Sequence, residues 1–263
     1  MGRVVTVASQ KGGVGKTATA VNLGASLAAA GKSVLLVDFD PQANASSGVG
    51  FGRTAGTGAR EAAPLDGFLS QAIQGRPLAP LVRRTQFDNL SVILSSPDLS
   101  ALDVIQRAQR SAGREFRARL KELAGAFDLT IFDCPPSLRG LPVIALAASD
   151  LVLVPIQCEY YAMEGLSQIM PIIKEIQFET NKDLKIGGLL MTMYCDELQL
   201  SREVEAEIRG YFKELVLRTV IPRDVVVAEA ASYGLPTLRY APLSRGAWSY
   251  LELAKEVLTR GWT

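Results

Sequence analysis

The chain contains no histidine among its 263 residues. Ser-His-Asp and Cys-His nucleophile pairs, imidazole general bases and His-ligated metals are therefore excluded together, since each needs a group that titrates near neutrality. Cysteine is scarce. Cys134, Cys158 and Cys195 are an odd number set far apart, which fits neither a disulfide framework nor a CxxC pair, so free thiols in a reducing cytosol are expected. Long apolar runs are absent as well: none approaches the roughly 18 residues of a membrane span, and the first run is too short for a signal peptide. These absences predict a soluble cytoplasmic protein without membrane attachment. Excess charge is lacking too. Lys plus Arg number 28 against 27 Asp plus Glu, so any surface for a polyanion must be a local patch. The chemistry left open is that of carboxylates, lysines and a bound metal ion.

What is present reads as one α/β domain spanning residues 1–263. Of the residues, 48% are hydrophobic and 21% charged, enough to bury a substantial core. Short β-branched runs alternate with longer amphipathic stretches, the pattern of helices covering both faces of a mainly parallel, twisted sheet. Strands are predicted at Arg3–Ala8, Ser33–Asp38, Leu90–Leu94, Leu129–Asp133, Leu151–Ile156, Ile186–Met193 and Val216–Ile221. A helix is predicted over Ala18–Ala30, capped by Gly31. The Gly-, Ala-, Ser- and Thr-rich stretch Ala43–Pro64 reads as a mobile loop.

The first predicted strand runs into VASQKGGVGKTATA, a glycine-rich turn followed by a helix. Glycines let successive amide groups point into one concavity, and the helix N-terminus adds positive potential, a combination suited to a triphosphate. Gly12, Gly13, Val14, Gly15, Lys16, Thr17 and Ala18 form the predicted cradle. Lys16 would reach the β- and γ-phosphates, and the Thr17 hydroxyl would meet Mg²⁺. Gln10 stands where the ordinary phosphate-loop pattern has its first glycine, and an additional lysine, Lys11, opens the loop. A purely connecting turn is the bland alternative, against which seven specified residues after an apolar strand weigh heavily.

KGGVGKT, VDFDPQ at 37–42, IFDCPPS at 131–137 and PIQCEYYAMEGL at 155–166 together resemble the ParA/MinD family of deviant Walker-A ATPases. GLLMTMY and RTVIPRD bring the chain nearest to the Soj-like ParA proteins of chromosome and plasmid partition. The resemblance runs from Val4 to about Glu256, without the long N-terminal DNA-binding extension of some plasmid relatives. It implies a P-loop ATPase that uses ATP and Mg²⁺ and forms a homodimer bridged by ATP. Lys11 would then contact the nucleotide of the opposite subunit, and Asp40 would position the attacking water. Asp133 would act on Mg²⁺ through water, Asp38, beside the loop, would belong with Thr17 and Asp133 to the metal site, and Pro222 and Arg223 would flank the adenine. Each carboxylate also has a structural alternative as a cap for loop amides. Non-specific DNA and a ParB-like or cargo-bound activating protein are the implied partners.

Some residues depart from that pattern. Ala18 replaces a threonine of the family, which leaves the expected metal position at Thr17 intact. Glu197 and Val226 stand where arginines of the family hold DNA, while Arg218 and Arg223 remain. Arg107, Arg110, Arg114, Arg117 and Lys121 recur at helical spacing opposite Phe116 and Leu120, offering either a replacement DNA surface or a solvated basic face. The final stretch WSYLELAKEVLTRGWT is expected to be a helix packed on the domain rather than a membrane tail. Two other functions stay open: positioning of a protein cargo with little DNA contact, and electron transfer as in nitrogenase iron protein, which would use Cys134 and Cys158 at a dimer axis. The loop chemistry of a bacterial tyrosine kinase is similar, but no terminal tyrosine cluster follows.

Overall fold

The structure, a computed structural model, describes residues 2–51, 67–100, 114–137 and 139–263. The strands among them are β1 (Arg3–Val7), β2 (Val34–Asp38), β3 (Val82–Arg84), β4 (Leu90–Ile93), β5 (Leu129–Asp133), β6 (Leu151–Gln157), β7 (Lys185–Tyr194) and β8 (Val216–Pro222). They form one sheet in the order β3-β4-β2-β5-β1-β6-β7-β8, parallel except for β3 against β4. All seven predicted strands are found within a residue or so of their expected ends. β3 was not anticipated: VRR carries no apolar alternation, and it pairs only at the sheet edge.

The central strands are buried on both faces, which is why they read as unbroken apolar runs. Pro155 in β6 is tolerated because β1 pairs only with Leu151–Leu153, so the missing amide falls beyond that ladder.

The α-helices among the described residues are α1 (Lys16–Ala29), α2 (Asn44–Gly48), α3 (Phe68–Ile73), α4 (Arg114–Ala124), α5 (Leu141–Ala148), α6 (Ala162–Glu179), α7 (Gln199–Phe212), α8 (Val225–Ser232), α9 (Thr237–Tyr240) and α10 (Arg245–Thr259). Helix α1 ends as its sequence implies. Gly31 adopts φ 82°, its amide reaches Ala28 O, and the Lys32 amide reaches Leu27 O, closing the last turn.

The helices cover both faces of the sheet. On one side α1 and α10 bring Leu23, Leu27, Leu253 and Val257 together. The Ser244 hydroxyl caps α10, whose buried Ala247, Tyr250, Ala254 and Val257 recur every three or four residues. The expected terminal helix is thus a core element. On the other side Phe39, Phe68, Phe116 and Phe132 form a ring cluster with edge-to-face contacts at 5.4–6.0 Å. The cluster seats α3 and α4 on the sheet beneath Asp38 and Asp133. The expected loop at 43–64 is corrected at its start, where Asn44–Gly48 forms α2; residues 52–66 lie outside the described set.

Candidate functional site

β1 lies between β5 and β6, so the chain's connections diverge to opposite sides of it, the position at which open α/β sheets bind ligands beyond their strand ends. The loop that leaves β1 there curls through Gly13 at φ 75° and Gly15 at φ 82° into the first turn of α1. A Cβ at Gly13 would meet nothing within 4 Å, so glycine is required there by the left-handed backbone and not by crowding. Thr192 of β7 donates its hydroxyl to Val14 O at 2.9 Å, fixing the loop to the sheet. Lys16 is buried and donates to Lys11 O at 2.9 Å, which closes the loop around its own ammonium. Burial holds the Lys16 pKa below its ordinary value, with Asp133 opposing that shift. Lys11 points elsewhere. Its ammonium is partly exposed and lies 3.3 Å from Glu159, which also accepts from Gln157.

The carboxylates divide by what surrounds them. Asp38 and Asp133 end adjacent strands and are direct neighbours in the β2–β5 register. Asp133 is fully buried; its Oδ2 accepts from the Thr17 hydroxyl at 2.8 Å, and its Oδ1 has no hydrogen-bond partner among the described residues. Burial, reinforced by Asp38, drives its pKa well above the carboxylate range. A buried oxygen without a donor beside a threonine hydroxyl is a donor set that fits a hydrated divalent cation, with Thr17 as ligand and Asp133 behind the water shell. Asp38 has a different place. Its Oδ2 accepts from both the amide and the hydroxyl of Ser46, at 2.7 and 2.6 Å, and its Oδ1 accepts from the Asp40 amide. Burial raises its pKa to about 6 despite these donors. Asp38 is thus engaged by Ser46 of α2 and by the Asp40 amide, whereas Asp133 is the carboxylate that meets Thr17. Asp40 accepts from the Gln42 amide through Oδ1 at 2.9 Å and lies close enough to Lys16 to act on its charge.

Beside the loop a cavity of about 510 Å³ opens between α1, α2 and the chain after β8, lined among others by Ala18, Asn44, Ser47, Met193, Pro222 and Arg223. Pro222 and Arg223 therefore reach the same space as the phosphate cradle. Asp224 fixes their loop: its carboxylate caps α8 at the Val226 amide and receives the Gly246 amide from α10. Met193, which lines this cavity, was not anticipated, nor was the backbone of Ala43 ahead of α2. Ala43 and Met193 adopt left-handed backbone at φ 58° and 50°, a conformation that side chains disfavour and that no composition rule marks.

Among the described residues of the expected basic stripe, Arg117 lies away from this site. Arg107 and Arg110 lie outside the described residues; Arg114 begins α4. Arg117 is half-buried and pairs with Asp183 at 3.9 Å, just ahead of β7 at the amino edge of the sheet. Arg218 and Arg223 lie along and beyond β8, Arg223 at the carboxyl edge, so Arg117 and Arg223 do not share a surface. Cys134 and Cys158 are both buried, with burial pushing the Cys158 thiol up to about 12, so neither is displayed to bridge a cluster between subunits. Among the described residues, no helix is long and apolar enough to cross a membrane.

A parallel sheet that opens at its topological switch into a loop of this shape, with a buried lysine, a threonine and a strand-end aspartate converging on it, defines a P-loop nucleoside triphosphatase. Comparison with known proteins narrows the class. Residues 2–186 match the AAA domain family. The chain is 44% identical over 262 residues to the chromosome partitioning protein ParA of Myxococcus xanthus, covering 99% of this chain and 89% of that protein. It is 42% identical to the sporulation initiation inhibitor protein Soj of Bacillus subtilis, covering 99% and 100%. A solved structure of cobyrinic acid a,c-diamide synthase from Mycobacterium smegmatis, with bound ATP analogue and magnesium, superposes with a TM-score of 0.82 at 32% identity, covering 100% of this chain and 96% of that one. The chain belongs to the ParA/MinD family of P-loop ATPases, on its Soj-like side.

Proposed function

We propose that this protein is a Mg-ATP-dependent dimerising switch for DNA partition, whose output is position and whose cycle is reset by hydrolysis. The observation that carries the reading is the opposed placement of two lysines on one loop. Lys16 is buried within its own cradle, whereas Lys11 projects outward and its ammonium, among the described residues, is held by a partly exposed ion pair. A pair of that kind is worth about 1 kcal/mol or less, so Lys11 is free to exchange Glu159 for the phosphates of a second subunit. When bound, Mg²⁺ neutralises phosphate charge and orients the γ-phosphoryl group; Thr17 and Asp133 are the residues that would hold it. Lys16 and the loop amides bind and orient the phosphates. Asp40, with one carboxylate oxygen outside its Gln42 contact, holds the attacking water in line. Pro222 and Arg223 border the space for the base.

In this reading the dimer binds DNA without sequence preference, through Arg218, Arg223 and their symmetry mates, and a ParB-like or cargo-bound partner stimulates hydrolysis. A second reading, positioning of a protein cargo, is favoured by one feature: exposed Glu197 and half-buried Val226 stand on the β8 side of the molecule where cations are expected. A salt-titrated DNA-binding assay of the Asp40→Ala protein with Mg-ATP separates the two. Binding that appears only with ATP and fades as salt rises supports partition; no binding even at low ionic strength supports the protein-cargo reading.

A further inference from the structure

Asp40, Asp38, Ser46 and Ser95 are joined by a closed ring of hydrogen bonds that draws on three separate segments: the end of β2, helix α2 and the turn after β4. The Asp40 amide donates to Asp38 Oδ1 at 3.3 Å; Asp38 Oδ2 accepts the Ser46 hydroxyl at 2.6 Å. Ser46 Oγ accepts the Ser95 amide at 3.1 Å, and the Ser95 hydroxyl donates to Asp40 O at 2.7 Å. Every proton in the ring has one destination. A hydroxyl has a single hydrogen: that of Ser46 is committed to Asp38, and that of Ser95 to Asp40. Both the amide and the carbonyl of Asp40 are thereby held, while its carboxylate stays outside the ring. Asp38, Ser46 and Asp40 are buried, so the ring is little weakened by competing water.

We infer that Ser95 and Ser46 are positioning residues for hydrolysis: with Asp38 they fix the Asp40 backbone so that its carboxylate meets the attacking water in one orientation. The inference rests on Asp40 holding that water. It also gives Asp38 a task other than metal binding. Orientation is where such a ring matters most, because phosphoryl transfer depends on in-line placement and a small misplacement of the water-holding group lowers the rate without touching the phosphate cradle. Neither serine lies in the glycine-rich loop, and no charge or spacing in the sequence marks Ser95.

The test is single-turnover ATP hydrolysis by the full-length protein, with ATP affinity and thermal stability measured on the same samples. Ser95→Ala should lower the hydrolysis rate on the order of tenfold while changing ATP affinity less than about twofold, and Ser95→Thr, which retains the hydroxyl, should restore the rate. Ser46→Ala should act in the same direction and Ser46→Thr should restore it. The decisive readout is the double variant. In an Asp40→Ala background Ser95→Ala should have no further effect, because what it positions is gone. An undiminished rate in Ser95→Ala, or an equal loss in the presence and absence of the Asp40 carboxylate, overturns the inference while leaving the role of Asp40 standing. Normal turnover by Asp40→Ala alone would remove that role and the inference with it.

Discussion

The most quantitative consequence of the buried carboxylates is an inverted pH dependence of stability for the nucleotide-free protein. Burial raises the Asp38 pKa to about 6 in the folded chain, against 3.8 when it is solvated. Above the folded value the carboxylate is ionised in both states, and the fold bears the full desolvation cost. As pH falls through about 6, the folded state takes up a proton before the unfolded chain does, so stability rises until the unfolded pKa is reached. Linkage from these two values gives a gain on the order of 1 kcal/mol between about pH 7 and about pH 5. Asp38→Asn keeps an acceptor for the two Ser46 donors but cannot titrate, so it should lack this increment. Asp133 is also raised, in part by Asp38, so removing that charge lowers the Asp133 contribution as well and widens the difference in the same direction. Urea unfolding followed by the fluorescence of buried Trp262, at both pH values for both proteins, measures the effect. Equal pH slopes for wild type and Asp38→Asn would refute the argument.

Three further outcomes are expected. Asp40→Ala should bind Mg-ATP normally and remain a long-lived dimer with hydrolysis reduced at least about tenfold, measured by turnover and light scattering; ordinary turnover would move the water-holding role elsewhere. Gly188→Ala should destabilise the sheet by about 1–3 kcal/mol in denaturant titration, because a Cβ there would stand 2.6 Å from Leu217 Cδ2 inside the core; an unchanged midpoint would mean that Leu217 repacks freely. Arg223→Ala should reduce the salt slope of DNA binding by about 2, one phosphate contact per subunit of a dimer, whereas Arg110, Arg114 and Arg117 replaced together by Ala should leave it unchanged; the opposite result would restore the basic stripe as the DNA surface.

The sheet was legible because its inner strands are buried on both faces and so announce themselves as apolar runs, and because the phosphate loop carries its own punctuation between β1 and α1. β3 escaped notice since a half-buried three-residue edge strand needs no apolar pattern to pair. Helix α2 escaped for a related reason. Asn, Ala, Ser, Ser and Gly form a helix there because Asp38 anchors Ser46 from another segment, a tertiary contact that local propensity does not contain. The residue types and spacing of the loop mark it in the sequence, but the different surroundings of Asp38 and Asp133 were not readable, since both are aspartates at strand ends. Only their partners separate them: Ser46 for one, Thr17 for the other. Around Arg117 the sequence was silent on one point, because helical spacing finds a face but not what the fold sets beside it, here Asp183.

The central claim is that two lysines of one loop serve two different nucleotides, and light scattering of Lys11→Ala and Lys16→Ala, paired with equilibrium Mg-ATP binding, tests it most directly. Lys16→Ala should fail to bind Mg-ATP at all, since its ammonium closes the cradle from within. Lys11→Ala should bind Mg-ATP with near-normal affinity yet scatter as a monomer where the wild type scatters as a dimer. A Lys11→Ala protein that still forms an ATP-dependent dimer would contradict the account.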